Sequence, residues 1–169
     1  PPPPVLEVPE QPEDIPFVPR LPEREVYEEN RNPNTFTIDE VKRVIHINRR
    51  VDNGGTEKAY KARIKPIMKV LGAENTEDFS QIFKKNTFEQ MVKKLDDHYK
   101  RPSAYYQLVL YVGERSEKLQ TIIPNTEEFL NQMRRAFRDS TDKERTLARD
   151  ERKEDKTNYI QHRNDLSFD

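Results

Sequence analysis

The densest group of residues able to do chemistry is a row of four lysines, Lys58, Lys61, Lys65 and Lys69, spaced three, four and four apart. At 3.6 residues per turn such a row lies on one face of a helix. Four ammonium groups on one face make either a solvated surface or a stripe that meets the phosphates of a duplex without reading its bases. Lys84, Lys85, Lys93, Lys94, Lys100 and Arg101 would extend that stripe. Other chemistry is thinly provided. None of the three histidines, His46, His98 and His162, has a second histidine at i+3 or i+4. Asp96, Asp97 and His98 are consecutive, and neighbours on a helix point about 100° apart, so they do not converge on an ion. Among four glycines there is no phosphate-cradling loop, and no serine stands in a nucleophile elbow. The absence of cysteine excludes disulfides, thiolate metal sites and cysteine nucleophiles. The expectation is a non-enzyme with no metal and no cofactor.

The lysine row belongs to the segment Thr56–Gly72, whose apolar residues Tyr60, Ile64, Ile67, Met68 and Leu71 fall on the opposite face. It reads as an amphipathic helix with Thr56 as N-cap and Gly72 as the left-handed stop, bent by Pro66. Helices that cover its apolar side are expected around it. Thr37-Ile-Asp-Glu40 is a capping box opening a helix to about Arg50, with Ile38, Val41, Val44 and Ile45 inward. A short helix is expected over 76–84, with Phe79, Ile82 and Phe83 inward. A second capping box, Thr87-Phe-Glu-Gln90, starts one to about Tyr99. After Arg101-Pro102, Ser103 is expected to cap the most apolar helix, 104–118, placed centrally with at least one of Tyr105 and Tyr106 in the core. Pro124-Asn125-Thr126 stops the chain again and caps a last helix bearing Phe129, Leu130, Met133 and Phe137. From Arg138 to Lys156 seven bases and seven acids alternate around the single large apolar residue Leu147, the pattern of a solvated helix or frayed tail. The fold class expected is all-α, a bundle of five to six helices over 37–137 with a charged C-terminal helix or tail, 138–169.

Residues 1–36 are of another kind. They hold ten of the 13 prolines and a net charge of −5, against +4 for the remainder. Proline fixes φ and removes an amide donor, which leaves polyproline II or extended chain. An arm without a core takes shape when a neighbouring surface holds it, and Val8, Ile15, Phe17, Val18 and Leu21 are the groups expected to fill pockets there. The composition agrees with this division, because 33% hydrophobic content is a thin supply of core for 169 residues. No apolar run is long enough for a membrane span and no signal peptide is visible, so a virion or intracellular setting without secretion is expected. The first residue is Pro1, without a starter Met, and the chain is read as a piece of something longer.

The succession TEKAYKARIKPIMKVLG, FEQMVKKL and RPSAYYQLVLYVGE resembles the helical core-binding, SAM-like N-terminal domain of tyrosine recombinases, of the kind found in large DNA viruses and mobile elements. The likeness spans residues 50–160, and the charged run ending KEDKTNYI is similar to the linker that leads to their catalytic domain. It implies a helical fold with Thr56, Tyr60 and the lysine face near DNA. The family's catalytic domain has no counterpart here. His46-Ile47-Asn48-Arg49 spells its His-x-x-Arg, yet stands ahead of the core-binding helix instead of after it, so no strand transfer is assigned.

Two functions follow as expectations. The first is a non-enzymatic structural component of a large assembly, a minor capsid protein of a large DNA virus, whose neighbours grip the arm. The second is a DNA-binding module of a recombinase-like protein acting through Lys58, Lys61, Lys65 and Lys69. The acidic arm favours the first, because negative charge beside DNA is repulsive. Neither expectation involves a membrane or a small-molecule substrate.

Overall fold

The computed structural model describes residues 32–48 and 54–166, with side chains as far as Thr157. The arm residues Val8, Ile15, Phe17, Val18 and Leu21 lie outside the described residues, as do Arg49 and the side chain of His162. The described chain is all-α: α1 (Ile38–Asn48), α2 (Gly54–Val70), α3 (Gln81–Lys85), α4 (Phe88–His98), α5 (Ser103–Arg115), α6 (Glu117–Ile122) and α7 (Thr126–Leu166).

Both capping boxes form. The Thr37 N–H donates to Glu40 Oε1 at 2.8 Å while the Thr37 hydroxyl accepts from the Glu40 N–H at 3.2 Å. Thr87 and Gln90 repeat the exchange at the start of α4. At the end of α2, Gly72 takes φ +83, and the Ala73 and Gly72 amides donate back to the Met68 and Lys69 carbonyls. These two bonds close the helix in the Schellman manner. The start of α2 differs from expectation: the helix begins at Gly54, so Thr56 lies within its first turn instead of capping it.

The two-faced character of α2 produces the core. Tyr60, Ile64, Ile67, Met68 and Leu71 are all buried, as their spacing requires. They meet Val41 and Ile45 of α1 and the inward residues of α5, which packs against α1, α2, α6 and α7 and is the central element. Tyr106, not Tyr105, enters the core there. A chain of edge-on aromatic contacts, Phe79–Phe83–Phe129–Phe88, joins the short α3 to α4 and α7. Such edge-to-face pairs add to burial about 0.5–1.5 kcal/mol each.

Further features depart from what the sequence suggests. Phe36, assigned to the arm, is 2% exposed and belongs to the core, so the boundary between arm and bundle lies before it. The stretch 76–80 forms turns organised by Asp78, and only Gln81–Lys85 is helical. The expected 104–118 helix is two helices, because the Ser116 hydroxyl accepts from the Leu119 N–H and starts α6 separately. Ser103 is the first residue of α5 and not its cap; its N–H and hydroxyl both donate to Glu144 of α7. There is no break at 137/138, since α7 is continuous over 41 residues, about 60 Å at 1.5 Å per residue. Its last fully buried side chain among the described residues is Met133, and residues 149–157 are exposed. In the charged half of α7, Arg145 pairs with Asp142 at 3.2 Å.

Candidate interaction surfaces

The outer face of α2 carries the lysine row, and the structure separates its members by what they touch. The Lys61 ammonium donates to Glu57 Oε2 at 2.6 Å, and the same oxygen lies 2.9 Å from His46 Nδ1. Burial raises the Glu57 pKa, but Lys61 and His46 outweigh it and hold the carboxyl below its ordinary value. Lys61 is thereby part of a clasp between α1 and α2. Lys69 lies 4.0 Å from Glu74. Lys58 and Lys65 are exposed, and among the described residues neither has an ion-pair partner.

The cations expected to extend the row are engaged one by one. Lys84 donates to the Asn34 carbonyl and lies 3.7 Å from Asp78. Lys85 donates to the Gly72 carbonyl at 3.2 Å, at the C-terminal end of α2, where a cation also suits the helix dipole. Lys94 donates to the side-chain carbonyl of Asn86, a buried residue whose amide in turn donates to the Leu71 and Ile82 carbonyls. Lys93 pairs with Asp97 at 2.8 Å, and Lys100 and Arg101 both reach Glu151 of α7 at 2.6 and 3.2 Å. What reads in the sequence as one basic patch is a set of separate engagements, within α4 for Lys93, to connecting segments for Lys84, Lys85 and Lys94, and to α7 for Lys100 and Arg101.

The Asp96-Asp97-His98 run diverges. Asp96 accepts from the Tyr106 hydroxyl at 2.6 Å, Asp97 faces Lys93, and the His98 ring meets the Tyr99 ring edge-on. Burial, and then the Asp96 carboxylate, push the Tyr106 hydroxyl far above the ordinary tyrosine range.

Among the grooves of the described residues, two bear on the lysine face and on the aromatic residues of α2 and α5. The larger, about 930 Å³, runs between α2, α4 and the 73–77 connection. Its floor is apolar, from Ile38, Met68, Val70 and Tyr99, and its rim carries Lys65, Lys69 and Lys94 together with Glu74, Glu77 and Asp97. The second, about 570 Å³, lies where α1, α2 and α5 meet. There Tyr60 and Tyr111 are 4.7 Å apart, Arg115 lies 3.8 Å over Tyr111, and Arg63 lies 5.9 Å from the Tyr60 ring centre. The signal for these cation–π pairs was present in the i, i+3 and i, i+4 spacings Tyr60–Arg63 and Tyr111–Arg115. The pairing of the two tyrosines across helices was not.

The class these elements define is an all-α bundle with one long, partly free C-terminal helix. No protein-family model, no curated protein and no solved structure matches the chain. No helix of the described residues is long and apolar enough to cross a membrane.

Proposed function

We propose that this protein is a non-enzymatic structural component of a large assembly, a minor capsid protein of a large DNA virus, held by neighbours through its proline-rich arm. The observation that carries the reading is the engagement of its cations. Of the ten basic residues read as a phosphate-facing stripe, all but Lys58 and Lys65 have an acceptor within the bundle. Two uncompensated lysines contacting phosphates give a salt slope near −2, a loss of only about tenfold in affinity between 50 and 200 mM salt. That is weak support for a dedicated DNA module. The core of the described residues runs from Phe36 to Met133.

The test compares the full chain with the variant Ile15→Ser/Phe17→Ser/Val18→Ser, both tagged at the C-terminus, in cells that produce the virus particle. The full chain is expected in purified, nuclease-treated particles and the variant in the soluble fraction. Equal recovery of both in particles, or of neither, overturns the reading.

The second reading, a DNA-binding module, is favoured by the exposed Lys58 and Lys65, which lack ion-pair partners among the described residues, together with the recombinase-like order of segments. Anisotropy of a labelled 30-base-pair duplex, measured with the full chain from 50 to 200 mM salt, separates the two. A slope that reports six or more phosphate contacts, lost in Lys58→Glu/Lys65→Glu, would establish the module.

A further inference from the structure

The long helix α7 separates its charges by face. At about 100° per residue, Arg134, Arg135, Arg138 and Arg145 fall within one arc of about 100° around the helix. Arg149, Arg152, Lys153 and Lys156 continue the same arc toward the C-terminus. Over residues 134–156 it holds a single carboxylate, Asp142, with Asp139 and Asp150 at its border. The bundle lies on the other side of the helix, where Met133 is buried and where Glu144 and Glu151 reach Ser103, Lys100 and Arg101. The cationic face therefore points away from the bundle, and every one of its cations is exposed.

Little within the protein answers that charge. Arg134 pairs with Glu114 at 2.7 Å and Arg145 with Asp142 at 3.2 Å. The other six cations, from Arg135 to Lys156, have no ion-pair partner among the described residues. The pattern is also unfavourable to the helix itself. Within 149–156 the residues four apart are all of like sign: Arg149 with Lys153, Asp150 with Glu154, Glu151 with Asp155, and Arg152 with Lys156. Like charges at that spacing weaken an isolated helix, whereas opposite ones support it. The segment keeps two one-signed faces where alternation would hold a solvated helix better. Lys100 and Arg101 answer the anionic face at Glu151, and the cationic face has no such counterpart.

We propose that the outer face of α7, from Arg135 to Lys156, binds the phosphate backbone of a nucleic-acid duplex. The face runs about 32 Å at 1.5 Å per residue, close to one turn of B-form DNA. One helix holds it straight, which suits a stiff polyanion with a charge about every 1.7 Å better than a flexible acidic peptide. Four of the six uncompensated cations are arginines, whose forked guanidinium matches a phosphate. The carboxylates behind them stand across a helix about 10–12 Å thick, farther than the Debye length of about 8 Å at physiological salt. They also oppose entry of the helix into a groove, so the contact stays on the backbone and reads no sequence. This surface is separate from the α2 lysine row, and it goes beyond both readings above, neither of which gives α7 a ligand.

The test is anisotropy of a labelled 30-base-pair duplex with the full chain between 50 and 200 mM salt. Six phosphate contacts give a slope near −5, a loss of about a thousandfold in affinity over that range. Arg149→Gln/Arg152→Gln/Lys153→Gln is expected to bring the slope near −3, and Arg135→Gln/Arg138→Gln, in the half of α7 that packs on the bundle, near −4. Glutamine is a good helix former, and circular dichroism checks that both variants keep their helix. Two duplexes of unrelated sequence are expected to bind alike. No binding at 50 mM salt, or a slope that neither α7 variant changes, overturns the proposal. A slope that falls only in Lys58→Gln/Lys65→Gln moves the contact to α2 and overturns it as well. Tighter binding of a labelled 30-residue poly-glutamate than of the duplex replaces nucleic acid by an acidic protein as the partner. Particle incorporation of the arm variant tests the assembly reading independently of all these outcomes.

Discussion

Ser103 and Glu144 face each other across the bundle, with the backbone N–H of Ser103 donating to Glu144 at 2.9 Å and its hydroxyl donating at 2.7 Å. Pro102 precedes α5 and offers no side-chain acceptor, so the first amide of the central helix would be orphaned without a carboxylate from elsewhere. Glu144 supplies it, with Ser140 of the same helix donating to Glu144 as well at 2.9 Å. A negative charge at a helix N-terminus is also favoured by the dipole. The cap of α5 thus holds the charged half of α7 to the bundle, beside the contacts of Lys100 and Arg101 with Glu151.

Glu144→Ala is expected to destabilise the protein by about 1–2 kcal/mol, the scale of a lost N-cap. Ser103→Ala, which keeps the amide donor, should cost less. Urea denaturation of both and of the double variant measures this. Additive effects would show that the two side chains are not coupled.

Asp78 is the organiser of the 76–80 turns. Its carboxylate accepts from the Phe36 N–H at 2.8 Å, from the Ser80 N–H and hydroxyl at 3.1 and 2.6 Å, and from Gln81 Nε2 at 3.1 Å. Burial raises its pKa, but these donors outweigh it and hold the carboxyl below its ordinary value. For a depressed carboxylate, the native state binds fewer protons than the unfolded one, so its contribution is present above the unfolded value and lost as pH falls through the native one. Acid unfolding is expected below about pH 4. Asp78→Asn should flatten the pH dependence in that range at a cost of roughly 2 kcal/mol at neutral pH, since bonds to a charged acceptor are replaced. An unchanged acid midpoint would remove Asp78 from this role.

Gly72 and Gly55 should respond to alanine with opposite signs. Gly72 sits at φ +83, where an L side chain costs about 1–2 kcal/mol. Gly55 lies in the first turn of α2 with open space where a Cβ would go, and alanine there gains up to about 1 kcal/mol of helix propensity. Thermal midpoints of the two variants give the comparison.

Tyr99 is stacked on Tyr105 with ring centres 4.0 Å apart, and burial together with the Tyr105 neighbour pushes its hydroxyl up to about 12. A raised tyrosine contributes stability that is complete below the unfolded value near 10 and is lost as pH rises through the native one. Absorbance at 295 nm should therefore show part of the tyrosine ionising only between about pH 10 and 12, with unfolding, and Tyr99→Phe should shrink that late fraction. A single early titration near 10 would contradict the burial.

The faces of the helices were legible in advance because they depend on local periodicity. Tyr60, Ile64, Ile67, Met68 and Leu71 are buried as their spacing demands, and both capping boxes form because each joins residues three apart. The places where helices end were less legible. Ser116 restarts the chain where the apolar pattern runs on, and Ser103 looks like a cap until Glu144 takes that part.

The amino-acid order by itself determined an all-α bundle, a two-faced α2 and a proline-rich segment distinct from it, since each follows from side-chain period and backbone chemistry within a few residues. The tertiary structure alone decided the meaning of the basic residues. Lys84 finds its acceptor 50 residues away at Asn34, Lys100 finds its own 51 residues away at Glu151, and Lys85 closes on Gly72. Charge type is written locally, but whether a charge is compensated depends on which distant group the fold brings within a few ångströms of it.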